Sequence, residues 1–109
     1  MRIWDISVKK LCRQHLLGEH RELHAIWSII TQGKIGYSHH PETLRWQGKL
    51  KALYARHEAL VDEMVRRGYH HASDLDRRLA TGLRVQRSFI DTLRQQRAIV
   101  RAKKCACRI

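Results

Sequence analysis

One proline, Pro41, and six glycines are all that interrupt the backbone of this 109-residue chain. These are the residues that end helices and open turns, so their scarcity leaves room for long elements and few connections. Between the breaks the apolar period is helical. Val8, Cys12, Leu16, Leu23, Ile26, Trp27 and Ile30 share one arc at about 100° per residue. That predicts a first helix capped by Ser7 and running to about Thr31, where Gly33 and Gly36 stop it. A second opens at Pro41, with Glu42 at the positive end of the helix dipole, and closes at Gly68. Its inner face carries Trp46, Leu50, Leu53, Tyr54, Leu60, Val61 and Met64, with Asp62–Arg66 and Glu63–Arg67 as ion pairs four apart. Ser73 offers a cap for a short helix. A last long helix is expected over about 82–103, with Val85, Phe89, Leu93 and Val100 inward and Arg87, Arg94, Arg97 and Arg101 as a basic stripe. No strand-period run and no internal repeat occurs. The expected fold is all-α, a compact single-domain bundle of three main helices over 1–109, with 104–109 as a basic C-terminal tail.

Charge narrows the function. Lysine and arginine number 22 against 10 acids, a net charge of +12. Such a field attracts polyanions, nucleic acid first among them, and exceeds what solubility alone needs. A membrane-surface role would need bulky apolar residues opposite the basic face, and here the core takes them. No apolar run reaches the length of a signal peptide or a membrane span, so a cytoplasmic location is expected, nucleoid-associated where the polyanion bound is DNA; a monomer is expected as a separate matter. Three cysteines, an odd number in a reducing compartment, argue against a disulfide framework. Cys105-Ala106-Cys107 invites a metal, with His39-His40 or His70-His71 as further donors. It lacks the second cluster at a defined gap that marks a zinc site, so free thiols are expected, with no metal and no cofactor.

The informative constellation lies on the first helix. His15 and Glu22 point within about 20° of each other at the edge of the apolar arc, with Gly18 between them about 40° away. A mid-helix glycine costs roughly 0.5–1 kcal/mol relative to alanine, so another backbone or a ligand should approach there. Gln14 and Arg21 project from the adjoining polar face. Glu19 points toward the apolar arc and must be paired, or its pKa rises. On pattern alone, a hydrogen-bonded packing histidine and a helix–helix contact glycine remain open alternatives.

These residues resemble a known family. "MRIWDI…LCRQHLLGEHREL" is similar to the N-terminal segment of the pyrimidine-dimer DNA glycosylases, the family of bacteriophage endonuclease V. The matches are Arg2-Ile3, Gln14-His15-Leu16, Glu19 and Arg21-Glu22-Leu23, in register without a gap. "KLKALYARHEALVDEMVRRGY" resembles the family's next helix, and the likeness covers about residues 1–70. His24 and Ala25 replace a proline and an arginine of the family pattern.

The resemblance implies an all-α enzyme that binds damaged double-stranded DNA without a cofactor, cleaves a glycosidic bond and then cuts the sugar–phosphate chain. Its nucleophile would be the N-terminal α-amine, here Met1, which the bulk of Arg2 is expected to retain. Glu22 would assist it, and Arg2, Gln14, His15 and Arg21 would grip the lesion and its phosphates. The chemistry suits a chain terminus. α-Amines as a class titrate near 7.7–8.0, leaving roughly a tenth neutral at pH 7 against under a thousandth for an ordinary lysine. The arginine stripe, with Lys9 and Lys10, would hold phosphates, and Trp4 and Trp27 are candidate stacking residues, Trp27 also a candidate for the core. Two other functions stay open: a noncatalytic helical nucleic-acid-binding module, and a metal-binding or redox protein built on the cysteines and histidine pairs.

Overall fold

The computed structural model describes residues 1–70 and 73–109. Among them all regular structure is helical: a 3-10 turn at Val8–Lys10, α1 (Arg13–Gln32), α2 (Pro41–Trp46), α3 (Leu50–Arg66), a 3-10 turn at Arg77–Leu79 and α4 (Leu93–Ala102). The all-α expectation holds, with α1, α3 and α4 as the main helices.

α1 begins later than its cap signal suggested. Ser7 precedes the first 3-10 turn and makes no side-chain cap; Cys12, in extended backbone, is the N-cap of α1. The turn forms because Lys10 N–H reaches Ser7 O at 3.0 Å and buries Leu11 behind it. At the other end Gly33, at φ +63°, closes the helix by donating to Ile29 O. α1 packs chiefly on α3, burying Leu16, Leu23 and Ile26 against Leu53, Leu60 and Met64.

The helix expected from Pro41 to Gly68 is two helices. Gly48, at φ +71°, breaks it, so α2 ends at Trp46 and α3 restarts at Leu50. The restart exposes unpaired first-turn amides. Lys51 N–H donates to Thr81 O at 2.8 Å and Ala52 N–H to Leu83 O at 3.1 Å. Those carbonyls come from the segment expected to begin the last helix, which is why it does not coil. Gly82 sits at φ +84°, where a Cβ would lie 2.1 Å from Gly48 O.

The last helix is correspondingly short. It starts at Thr92, whose hydroxyl accepts from Gln95 N–H while Gln95 Oε1 accepts from Thr92 N–H, a capping box. Val85, Phe89 and Leu93 are exposed rather than inward, and only Val100 of the expected face is buried. Arg87 lies in the preceding irregular segment, so the stripe reduces to Arg94, Arg97 and Arg101. Ser73 caps nothing; Asp76 caps the second 3-10 turn by accepting from Arg78 N–H. Glu63 pairs with Arg67 as expected, but Arg66 also turns to Glu63 rather than to Asp62. The tail is no loose end: Cys105, Cys107 and Ile109 pack on the core.

Candidate active site at the N-terminal cleft

The first six residues form an irregular segment held at nearly every position. Ile3, Trp4 and Ile6 are buried side chains of the core. Trp4 N–H donates to Glu19 Oε1 at 3.1 Å, and Arg56 donates to both Glu19 oxygens and to Ile6 O. Arg45 of α2 donates to Ile3 O, Asp5 Oδ1, Glu42 Oε1 and Ser88 O. Gln96 of α4 accepts from Asp5 N–H and donates to the Asp5 carboxylate. Each helix except α3's far end thus contributes a side chain that fixes the terminus. Glu19 is buried, and that burial pushes its carboxyl above the usual range while Arg56 pulls it back. The pairing required of a carboxylate on that arc is present.

This clamp delivers Met1 to two neighbouring clefts. One, of about 210 Å³, is lined by Met1, Arg2, Trp4, Gln14, His15, Gly18, Glu19 and Glu22. The other, of about 560 Å³, is lined by Met1, Glu22, Ala25, Ser28, Ile29, Lys34, Gly36 and Tyr37. Met1 and Glu22 are the residues common to both. Gly18 forms part of the smaller cleft, and a Cβ built on it meets nothing within 4 Å beyond its chain neighbours and the backbone of its own helix. No second backbone therefore approaches Gly18, which removes the helix–helix explanation for it.

The other expected site residues divide. Arg2 lines the smaller cleft, but its guanidinium already pairs with Asp91 at 2.7 Å and lies over the Trp4 ring. Gln14 and His15 line it directly, whereas Arg21 is exposed and lines neither cleft. Burial, then Lys103, pushes the His15 imidazole below its usual pKa. Trp4 and Trp27 are both 6% exposed, so neither offers a free face for stacking. Tyr37 does: it is 70% exposed on the rim of the larger cleft, at φ +59°. A bulky residue in the left-handed region is strained, and such strain clusters at functional sites. Its sequence signal is the glycine-flanked "KIGY", whose glycines by themselves mark only the end of a helix. Arg87 lines a separate hollow with Lys49 and Val85. Arg94 and Arg101 are exposed and Arg97 half-buried on α4, whose preceding Asp91 holds Arg2.

The cysteines and histidines group differently from the sequence reading. Cys105 and Cys107 meet Cys12 and His15, with no part taken by His39 or His40. His20 and His24 of α1 meet His57 of α3. His71 lies outside the described residues.

No helix among the described residues is long and apolar enough to cross a membrane. Comparison with curated proteins and with solved structures gave no match. The model of one family, described as pyrimidine dimer DNA glycosylase, matches residues 1–77, which span the clamped terminus, both clefts, α1, α2 and α3. With that match over well more than half its length, the chain belongs to the pyrimidine dimer DNA glycosylase family.

Proposed function

We propose that the protein is a DNA glycosylase and abasic-site lyase that works through an imine to the Met1 α-amine. The observation carrying this reading is that Met1 and Glu22 share both clefts, beside a glycine whose open face nothing in the protein fills. In the proposed reaction the neutral amine attacks C1′ of the damaged nucleotide and the glycosidic bond breaks, its electron pair leaving with the base. The aminal then opens to an imine as the sugar ring oxygen takes up a proton. Removal of a C2′ proton eliminates the 3′ phosphate, and water hydrolyses the imine to return the amine. Glu22 stabilises the positive charge that develops at the sugar and shuttles the protons.

Gln14 and His15 line the wall against which the lesion's phosphates would sit. Tyr37, rather than the buried Trp4 and Trp27, offers the exposed ring for a displaced base. Arg21, Arg87, Arg94, Arg97 and Arg101 supply a diffuse basic field for double-stranded DNA, with Arg2 holding the terminus through Asp91 as well. We take the working form to be a cytoplasmic monomer.

Borohydride trapping on duplex containing an abasic site or a pyrimidine dimer tests the mechanism. Untagged protein, with Met1 verified as the first residue by mass spectrometry, should form a covalent adduct. A Gly-Ser extension before Met1 should abolish it, and Glu22→Gln should lose strand cleavage while keeping binding. Absence of adduct, or cleavage by the extended protein at the original rate, would remove the amine from its role.

A further inference from the structure

We infer that this chain holds two zinc ions, one at Cys12, His15, Cys105 and Cys107, the other at His20, His24 and His57. Neither inference depends on the glycosylase reading, and each rests on its own geometry.

At the first site four donor atoms lie within 4.8 Å of one another. Cys12 Sγ is 3.3 Å from His15 Nδ1, which is 3.1 Å from Cys107 Sγ. A tetrahedral ion with ordinary Zn–S and Zn–N bonds has donor–donor edges of roughly 3.6–3.8 Å, inside the span observed. The donors are three sulfurs and one imidazole, a common structural zinc set, arranged as C-x-x-H and C-x-C. Their surroundings suit thiolates. Cys12 is the N-cap of α1, at the positive end of the helix, and its N–H donates to Cys107 Sγ at 3.0 Å. Lys9, Arg66, Arg67 and Arg108 line the adjoining hollow, a basic setting for a centre of net charge −1. The chain makes a deliberate turn to get there. Lys104 adopts φ +49°, and Arg108 N–H donates to Lys10 O at 2.7 Å, folding the tail back onto the start of α1.

The second site rests on a different pattern. The Nε2 atoms of His20, His24 and His57 are 3.2, 3.2 and 3.3 Å apart. Each Nε2 of a neutral imidazole is either a donor or an acceptor, so among three mutual neighbours at least two play the same part. One contact among the three must then oppose two lone pairs or two protons. A cation at the centre turns all three into ligands, and a tetrahedral Zn–N bond of about 2.0–2.1 Å sets N–N edges of about 3.3–3.4 Å. His20 and His24, four apart, present their rings from one face of α1, and fully buried His57 comes from α3. His57 Nδ1 lies 3.0 Å from the Glu58 carboxylate, the outer partner that orients a metal-bound imidazole.

The first ion would also bear on the cleft. Ligation through Nδ1 leaves the proton of His15 on Nε2, on a ring that lines the wall shared with Met1 and Glu22.

Metal analysis of untagged full-length protein, purified without chelator, should find two zinc ions per chain. Cys105→Ser/Cys107→Ser and His20→Asn/His24→Asn should each retain one. Cobalt loading of the wild type provides a readout independent of variant folding. It should give a thiolate-to-cobalt charge-transfer band in the near ultraviolet that only the cysteine variant loses. Wild type with less than a tenth of an equivalent of metal, or with a disulfide among its three cysteines by mass, would overturn both sites or the first. One zinc in wild type, lost with the cysteines, would overturn the histidine site alone.

Discussion

Arg45 is the residue whose loss should most separate a clamped terminus from a merely folded chain. It is 7% exposed, and its guanidinium makes four hydrogen bonds: to Glu42 Oε1, Asp5 Oδ1, Ile3 O and Ser88 O. Arg45→Met keeps the length and apolar stem but leaves Glu42, at 1% exposure, with the Trp46 indole N–H as its carboxylate's one remaining donor among the described residues. Breaking a buried ion pair from one side costs about 3–5 kcal/mol, because the survivor stays charged and unsolvated. A domain of this size has only about 5–15 kcal/mol in total. With a urea slope of about 2 kcal/mol per molar, the unfolding midpoint should fall by about 2 M with the slope unchanged. Glu42→Gln/Arg45→Met should recover part of the loss, giving a coupling of about 2–3 kcal/mol in the double-mutant cycle. Additivity to within about 0.5 kcal/mol would refute the pairing as an energetic unit. The second measurement is the borohydride trapping rate, taken in buffer where near-ultraviolet circular dichroism shows Arg45→Met still folded. A fall of tenfold or more is expected, since Arg45 holds Ile3 two residues from the proposed nucleophile. A strongly destabilised variant that traps at the wild-type rate would show that the clamp does not position Met1.

Gly18→Ala should stabilise the free protein by about 0.5–1 kcal/mol, since the new methyl meets nothing, and should weaken binding to abasic duplex. Calorimetry and a binding titration read the two effects, and unchanged affinity would leave Gly18 without a ligand. Glu63 is held at about 2, well below its ordinary 4.5, by Arg66 and then Arg67. A depressed carboxyl contributes stability that is present above its ordinary pKa and lost as pH falls through the folded value. Glu63→Gln should therefore be less stable than wild type at pH 7, with the gap closing between pH about 4.5 and 2. A gap that persists at pH 2 would contradict that linkage. Arg94→Gln/Arg97→Gln should reduce the slope of log affinity against log salt by about two and weaken binding to all duplexes alike. A slope unchanged by the pair would move the phosphate contacts off α4.

What the sequence disclosed follows the range of the signal. The apolar periods of α1 and α3 are local, and they identified Leu16, Leu23, Leu53, Leu60 and Met64 as core. The last helix failed in its first half for a reason ten residues of periodicity cannot carry. The carbonyls of Thr81 and Leu83 satisfy amides of α3, and Gly82 must pass Gly48 O closely. A local clue was nevertheless present, since Thr92-x-x-Gln95 is a capping-box pattern and marks the true start. The clamp was illegible because Arg45 and Arg56 read as ordinary charges on amphipathic helices. Only the path of residues 3–6 across those helices makes Arg45 a buried donor and Arg56 a half-buried one. The cysteine–histidine grouping was half legible. Cys12-x-x-His15 and Cys105-x-Cys107 are each short-range patterns, but the two halves stand about ninety positions apart and meet only because the chain turns at Lys104.

α1 organises these features by direction as well as by position. Taking His15 as zero, Gly18 and Glu22 lie within about 60° on one side, facing the clefts. Ile26, Glu19, Leu23 and Leu16 follow from about 20° to 100° on the other side and form the buried stripe. His20 and His24 come next, at about 140–180°. The stripe alone would let the helix roll, because apolar packing is non-directional and several rotations bury similar area. Polar contacts on the flanks remove that freedom. Glu19 is fixed to Trp4 N–H and Arg56, Cys12 and His15 to Cys107, and His20 and His24 to His57. A roll of about 20° would swing Glu22 relative to the clefts it lines with Met1 while costing the apolar core little. The directional groups on α1 are accordingly what fixes which face of the helix lines the clefts, and the small core beneath them supplies stability without that register.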